Sequence, residues 1–208
     1  MRSILFSAAV SFAVFTQAGC AQEAPALDRE QLLEDLRILA ADDMEGREVA
    51  TEGNARARAY IIERLEGIGA GPVNGDYEHS FTFSLPRNPD EDITGVNILA
   101  QIEGTSDSAR TLVVTAHYDH EGMRDGQIWN GADDNASGVA SVLAIAADFV
   151  ANPPEHDVIF AFVDAEERGL QGAPSSSRWS KKSRRGPMSR CRWAMTSRPR
   201  SRAVTGRC

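Results

Sequence analysis

The fold is decided by three consecutive segments, LVVTA (112–116), ASGVASVLAIAADFV (136–150) and VIFAFV (158–163). The first and third are short apolar runs without polar alternation, which is typical of strands covered on both faces by helices. The segment between them has apolar residues at helical spacing and predicts a helix. A strand, a helix and a strand of these lengths predict a βαβ unit with a right-handed crossover.

The residues before this unit add two helices and two further strands. Asp28 begins a leucine-rich amphipathic segment, and a second helix is predicted from about Thr51 to a run of glycines. Alternating apolar residues predict a half-buried strand over 77–85, and residues 95–102 predict another. We therefore predict for residues 27–172 an α/β fold, a three-layer α/β/α sandwich with a mixed, largely parallel sheet.

The charge of the chain is divided between an acidic body and a basic tail. Residues 1–172 hold 11 Lys+Arg and 30 Asp+Glu, whereas residues 173–208 hold 11 Lys+Arg and no acidic residue. The acidic body argues against nucleic acid as a partner. The tail is rich in Arg and Ser and has no Leu, Ile, Phe or Tyr. Two interpretations stay open: an out-of-frame, disordered tail, or a basic extension that binds anions or membranes.

The N-terminus has the pattern of an export signal. An apolar run over 4–15 is too short to span a bilayer as a mature helix but suits a signal-peptide core. The sequence QAGC (17–20) resembles a lipobox with Cys20 as the lipidated residue. These features predict a signal peptide over 1–19, a tether over 20–26 and a periplasmic or outer-membrane-anchored lipoprotein, with simple secretion as the alternative.

Ligand-type side chains follow the strand ends of the βαβ unit. The sequence HYDH (117–120) follows the first strand, GADDN (131–135) leads into the helix, and DAEE (164–167) follows the last strand. Because ligands bind at the carboxyl ends of strands in open α/β sheets, we expect these segments to converge on one rim. No cysteine lies between residues 21 and 172, so the available donors are imidazole and carboxylate groups, which suit zinc.

Each of these segments also has a simpler interpretation. His117 is compatible with an ordinary polar residue at a strand end, Asp133 and Asp134 with a helix cap, and Glu166-Glu167 with a solvated loop. However, adjacent carboxylates repel each other, and the chain has no lysine before position 181 to neutralise them. The combination therefore favours a bound cation.

The three segments resemble the motifs of a known enzyme family. The sequences HYDH (117–120), GADDNASG (131–138) and AEERGLQG (165–172) are similar, in this order, to motifs of the co-catalytic zinc aminopeptidases, metallopeptidase family twenty-eight. The helices ahead of them also resemble this family, so the resemblance covers residues 27–172. It implies the zinc-exopeptidase form of the fold, two zinc ions, peptide substrates and release of N-terminal residues.

The resemblance also implies a role for each residue. His117 is expected to bind one zinc ion and Glu167 the other, and Asp134 is expected to bridge both. Glu166 is expected to be the general base. Asp119 is expected to be the acid that orients the imidazole of His117.

The sequence departs from the family pattern after the Glu-Glu motif. The family has a further Asp and a further His as ligands, but residues 168–208 contain neither. By position, His79, His120 and His156 are poor substitutes. Each ion is then left with two protein ligands, where zinc sites have three or four. We therefore expect a fold that is incomplete at the C-terminus and little or no activity of this chain.

Three alternatives stay open at this level. Asp133 is expected to shape its turn, but an exchange of roles with Asp134 is compatible with the sequence. Some relatives of the fold lack zinc and act as receptors, and a related single-zinc scaffold performs cyclotransfer on N-terminal glutamine. The predicted partners are peptides, with membrane contact only through a lipid anchor on Cys20.

Overall fold

The computed structural model describes residues 27–107 and 110–173 in full and the backbone of 204–207. The predicted signal peptide, Cys20 anchor and tether, and the basic tail apart from residue 173 and the backbone of 204–207, lie outside the described residues.

Three α-helices, a 3₁₀ segment, a π turn and eight strands are described. The helical elements are α1 (Arg29–Leu39), the 3₁₀ segment (Asp42–Arg47), α2 (Glu52–Ile68), the π turn (Ala132–Ala136) and α3 (Ser137–Ala151). The strands are β1 (Gly71–Pro72), β2 (Glu78–Leu85), β3 (Asn88–Ile102), β4 (Thr111–His117), β5 (Gly122–Arg124), β6 (Gln127–Trp129), β7 (Asp157–Val163) and β8 (Val204–Arg207).

Side-chain caps begin the first two helices where the sequence predicts them. The Asp28 carboxylate accepts a hydrogen bond from the Gln31 backbone N–H at 3.0 Å, and the Thr51 hydroxyl accepts one from Asn54 N–H at 3.2 Å. Each cap satisfies one of the N–H groups that have no partner within the helix. At the other end, Gly69 has φ +90° and stops α2, because a left-handed residue ends the helical hydrogen-bond pattern.

The sheet has the strand order β1-β3-β7-β4-β8, and β2 also pairs with β3. β4 and β7 are parallel and are connected through α3, which confirms the predicted βαβ unit. The other pairings of the described strands are antiparallel. The sheet is therefore mixed, as predicted, but less parallel than predicted, because short connections such as the one between β2 and β3 allow only antiparallel pairing.

The described helices all pack on one face of the sheet. Leu39 of α1, Ile61 of α2 and Leu143 of α3 share a buried core with Phe160 and Phe162 of β7. The opposite face of the sheet is also buried and forms a second apolar cluster: Val73, Leu99, Val113, Ile159, Ala161 and Val163. The predicted α/β fold is confirmed, and the part of the chain described here contains two of its three layers.

One helical stretch in the described ranges is long and apolar enough to cross a membrane by length and composition alone. It runs over Ala132–Ala151 and includes α3. The core helix of a water-soluble domain passes the same test, and α3 buries Val139, Leu143 and Ala146 in the main core. Packing against the sheet therefore accounts for the apolar character of α3.

Candidate metal centre

The parallel pair of strands carries two of the predicted segments to the same edge of the sheet. His117, the last residue of β4, lies opposite Val163, the last residue of β7. The register continues beyond the strands, because Tyr118 N–H donates to the Val163 carbonyl at 3.0 Å. Residues 117–120 and 164–167 therefore leave the sheet side by side, as expected for ligands at the carboxyl ends of parallel strands.

The imidazole of His117 is held between two aspartates. Its Nε2 lies 3.0 Å from Asp134 Oδ1, and its Nδ1 lies 3.1 Å from the backbone carbonyl oxygen of Asp119 and 3.6 Å from the Asp119 carboxylate. Burial would lower the pKa of His117, but Asp119, Glu166 and Asp134 outweigh it and raise that pKa to about 9. This environment favours a positive charge at Nε2, whether a proton or a metal ion supplies it.

The buried carboxylate of Asp119 fixes the backbone of the glutamate pair. Its Oδ1 accepts a hydrogen bond from Glu166 N–H and its Oδ2 accepts one from Glu167 N–H, both at 3.1 Å. The carbonyl of the same residue faces His117. Asp119 thus connects the imidazole to both glutamates, whereas the sequence argument related it to His117 alone.

Two groups of side chains in the described ranges have donor atoms close enough to share a metal ion. One group is His117, Glu166 and Glu167, and the other is His120, Asp134 and Glu167. Within each group, the ligand atoms all lie within 4.8 Å of one another. Sequence reasoning set His120 aside, but its Nδ1 lies 3.0 Å from Glu167 Oε1. The second histidine of the HYDH segment was the signal that could have identified it.

The π turn before α3 presents Asp134 to this edge of the sheet. Asp134 has a non-helical backbone, with φ −119° and ψ 91°, so the turn departs from helix at this residue. The side-chain oxygen of the next residue, Asn135, accepts a hydrogen bond from Gly138 N–H in the first turn of α3 at 3.1 Å. Asp133 instead points its carbonyl at the Ser137 hydroxyl, 3.0 Å away, and belongs to neither metal-type group.

A buried arginine holds together the loops that carry these donors. The Arg47 guanidinium donates to four backbone carbonyls, those of Tyr118 at 2.8 Å, Asn130 at 2.7 Å, Gly131 at 3.0 Å and Leu39. Burial lowers the pKa of Arg47 to about 10, while Asp119 and Asp134 oppose this shift. The guanidinium therefore remains charged at neutral pH and ties α1 to the loops after β4 and before α3.

The donor set at this edge fits zinc. Zinc in proteins binds imidazole nitrogen and carboxylate oxygen, and the two groups supply both kinds of donor. His117 Nε2 and Asp134 Oδ1 are separated by 3.0 Å, close to the roughly 3.3 Å between neighbouring donors of a tetrahedral zinc ion. Small side-chain shifts would therefore suffice to admit an ion.

The sequence comparisons agree with the chemistry of this edge. Residues 97–194 match the model of Peptidase family M28. A vacuolar membrane protease of Schizosaccharomyces japonicus is 33% identical over 132 residues, which cover 60% of this chain and 15% of the relative. A zinc metalloprotease of Pyrenophora tritici-repentis is 34% identical over 133 residues, which cover 60% of this chain and 27% of the relative. The chain thus spans about a quarter or less of the length of these curated relatives.

Solved structures share the fold at low sequence identity. A leucine aminopeptidase precursor from Bacteroides thetaiotaomicron is 21% identical with a TM-score of 0.58, and the match covers 74% of this chain and 58% of that one. Glutaminyl cyclases are also among the similar structures. This likeness supports the α/β fold of the zinc exopeptidases.

The comparisons overturn the predicted location. Several curated relatives are vacuolar membrane proteases, from Schizosaccharomyces japonicus and Eremothecium gossypii among others. Those proteins are named for the vacuolar membrane and not for a bacterial periplasm or outer membrane. The prediction of a periplasmic or outer-membrane-anchored protein is therefore wrong by this comparison.

The family match, the fold and the imidazole–carboxylate donor set lead to the same assignment. Zinc is the cofactor that this family and this donor set imply. We conclude that residues 97–194, just under half of the chain, are similar to Peptidase family M28.

Proposed function

We propose that this chain is a zinc-dependent aminopeptidase, in which His117, Asp134 and Glu167 bind zinc and Glu166 is the general base. One observation carries the proposal: Glu166 lies in the same close group as His117 and Glu167, with donor atoms within 4.8 Å. A carboxylate beside metal-type donors is what peptide hydrolysis by this chemistry needs. The names of the curated relatives, which are proteases, support the same reaction class.

The residues at this edge of the sheet have different proposed roles in peptide hydrolysis. Bound zinc supplies Lewis acidity, which polarises the peptide carbonyl and makes water a better nucleophile. Glu166 accepts the proton of the attacking water and delivers it to the leaving amine nitrogen. Asp119 is a positioning residue, because its carboxylate binds the backbone N–H of Glu166 and its carbonyl faces the His117 ring.

The preference for a free N-terminus is supported by a protein of similar structure, since a leucine aminopeptidase precursor from Bacteroides thetaiotaomicron shares this fold. We therefore propose that the substrate is a peptide with a free N-terminus.

Measurable activity is expected from the 208-residue chain. The sequence argument counted two protein ligands per ion and expected little or none. In the structure, the group of His120, Asp134 and Glu167 offers three donors, which is the lower limit for a stable zinc site, while the other ion keeps His117 and Asp134 because Glu166 is the proposed base. We therefore expect slow turnover that depends on zinc.

The test compares free and N-acetylated peptides as substrates of the chain with zinc, after zinc removal and after zinc addition. The variants are Glu166→Gln and a matched control, Glu63→Gln, at an exposed position of α2. With zinc bound, we expect the chain to release N-terminal residues from free peptides and not from acetylated ones. Glu166→Gln should lose this activity while its zinc content stays unchanged. Glu63→Gln should behave as the wild type.

Three results would contradict this proposal. Equal cleavage of acetylated peptides would indicate an endopeptidase. Cyclisation of glutaminyl peptides without hydrolysis of other substrates would indicate a cyclotransferase. Zinc binding without turnover of any substrate would favour a binding protein.

A further inference from the structure

We infer that His120 is a zinc ligand, which completes with Asp134 and Glu167 the site of the ion that Glu167 binds. This inference rests on the proposed function of the edge, and it adds a residue that the family resemblance did not supply.

The contacts of His120 are those of a donor turned toward carboxylates. Its Nδ1 lies 3.0 Å from Glu167 Oε1, and a ligand atom of Asp134 lies within 4.8 Å of both residues. Three donors at these separations enclose a space that a zinc ion can enter, since tetrahedral zinc separates its donors by about 3.3 Å.

The ring of His120 is also positioned by the fold and is not free in solvent. Its side chain is 11% exposed and that of Glu167 is 17% exposed. The backbone N–H of His120 donates to the Arg47 carbonyl at 3.2 Å. A half-buried imidazole on a fixed backbone loses little conformational entropy when it binds a metal ion.

A glycine provides the space that this ring occupies. Gly131 has φ +57°, and a Cβ atom added there would lie 2.5 Å from His120 Cδ2 and 2.6 Å from its Cγ. Carbon atoms do not approach so closely, so any other residue at position 131 would displace the imidazole. The turn before α3 therefore accommodates both Asp134 and the ring of His120.

The other histidines of the chain lie elsewhere. His79 is in β2, where its Nε2 lies 3.0 Å from the Asp76 carbonyl oxygen. His156 precedes β7, at the end of that strand opposite to Glu167. Only His117 and His120 among the four histidines belong to the metal-type groups of the described chain.

The experiment is a zinc titration against a competing chelator, with the full chain and three variants. His120→Gln keeps a hydrogen-bond donor for Glu167 but removes the imidazole, His117→Gln tests the other group, and His79→Gln is the matched control. Loss of a residue that only supports a ligand weakens metal binding about 10–100-fold, so loss of a ligand should exceed about 100-fold. We expect the wild type and His79→Gln to bind two zinc ions. In His120→Gln, the affinity for one of the two ions should fall by more than about 100-fold.

The outcomes distinguish a failure of zinc binding as a whole from a failure of ligation by His120. Absence of zinc binding in the wild type would overturn both the proposed function and this inference. If His117→Gln weakens zinc binding but the affinity of His120→Gln stays within about 100-fold of the wild type, this inference alone is overturned. His120 would then only orient Glu167. X-ray absorption at the zinc edge of the wild type gives a second measurement that needs no variant. The spectrum should show an average of one imidazole ligand per zinc ion. An average of half an imidazole per ion would contradict ligation by His120.

Discussion

The most demanding structural prediction concerns the buried guanidinium of Arg47. Arg47→Ala removes the donor of four hydrogen bonds to backbone carbonyls, those of Leu39, Tyr118, Asn130 and Gly131. The contacts with the Leu39 and Tyr118 carbonyls are buried, whereas those with Asn130 and Gly131 are partly exposed. The Gly131 carbonyl also accepts a hydrogen bond from Ala136 N–H. Each buried polar group left without a partner costs about 1–3 kcal/mol, so the variant should lose at least about 2 kcal/mol of unfolding free energy. Because a domain is stable by about 5–15 kcal/mol, this loss is a large fraction of the total.

A conservative variant and a control make this prediction specific. Arg47→Lys keeps the positive charge but cannot reproduce the planar fork of donors, so it should fall between wild type and Arg47→Ala. Arg37→Ala is the control, because Arg37 is on the surface of α1 with 70% of its side chain exposed. Such a surface change should stay within about 0.5 kcal/mol.

The assay is urea denaturation followed by circular dichroism, combined with zinc titration of each folded variant. We expect the order wild type, Arg47→Lys, Arg47→Ala for both stability and zinc affinity. A loss below about 1.5 kcal/mol for Arg47→Ala, which is the worth of a single ordinary hydrogen bond, would refute the role assigned to the guanidinium. If Arg47→Ala lowers the stability but leaves the zinc affinity unchanged, Arg47 does not position the metal donors.

Three further predictions test the loops around the metal centre. Asp119→Ala should lower peptide turnover at least about 10-fold, because it removes the acceptor that holds the backbone N–H of Glu166. Turnover equal to that of the wild type would contradict this role. Gly131→Ala should destabilise the fold by more than about 1 kcal/mol in urea denaturation, because of its φ of +57° and the contact with His120; an unchanged midpoint would contradict this. Burial raises the pKa of Asp164 to about 6, and its ionised form is therefore disfavoured in the folded state. Since the folded state then holds more protons than the unfolded one, the stability of wild type relative to Asp164→Asn should fall by up to about 3 kcal/mol as pH rises from about 4 to about 6. A difference that is flat or rises with pH would contradict this assignment.

The parts of the fold that depend on local sequence were predictable. Asp28 and Thr51 cap their helices because a short polar side chain before an amphipathic segment satisfies free N–H groups. The βαβ unit follows from two apolar runs on either side of a helical pattern. Its parallel register then brings residues 117–120 and 164–167 together, so the rim at the strand ends was predictable as well.

Four of the eight described strands were not predicted, namely β1, β5, β6 and β8, although the hairpin of β5 and β6 had a local signal. Asp125 and Gly126 have φ values of +52° and +74° and form the turn between β5 and β6, and an Asp-Gly pair is typical of such hairpins. No strand is predicted between the strands over 77–85 and 95–102, where the sequence holds prolines and charged residues. In the structure β3 begins at Asn88, since pairing with β2 outweighs the weak strand propensity of these residues.

The supporting interactions of the metal centre had no sequence signal. Arg47 contacts three carbonyls that lie 71 to 84 residues away along the chain, and no spacing rule connects it to Tyr118 or Gly131. The proximity of His120 to Glu167 likewise depends on how two loops turn after they leave the sheet. Such contacts depend on tertiary packing, which cannot be predicted from hydrophobic periodicity or from helix-capping patterns.

Anomalous diffraction at the zinc absorption edge, from crystals of the zinc-loaded chain, locates the bound ions relative to His117, His120 and Glu167. We expect two peaks at the carboxyl ends of β4 and β7, one beside His117 and Asp134 and one beside Asp134, Glu167 and His120. Zinc located only outside this edge of the sheet would contradict this expectation.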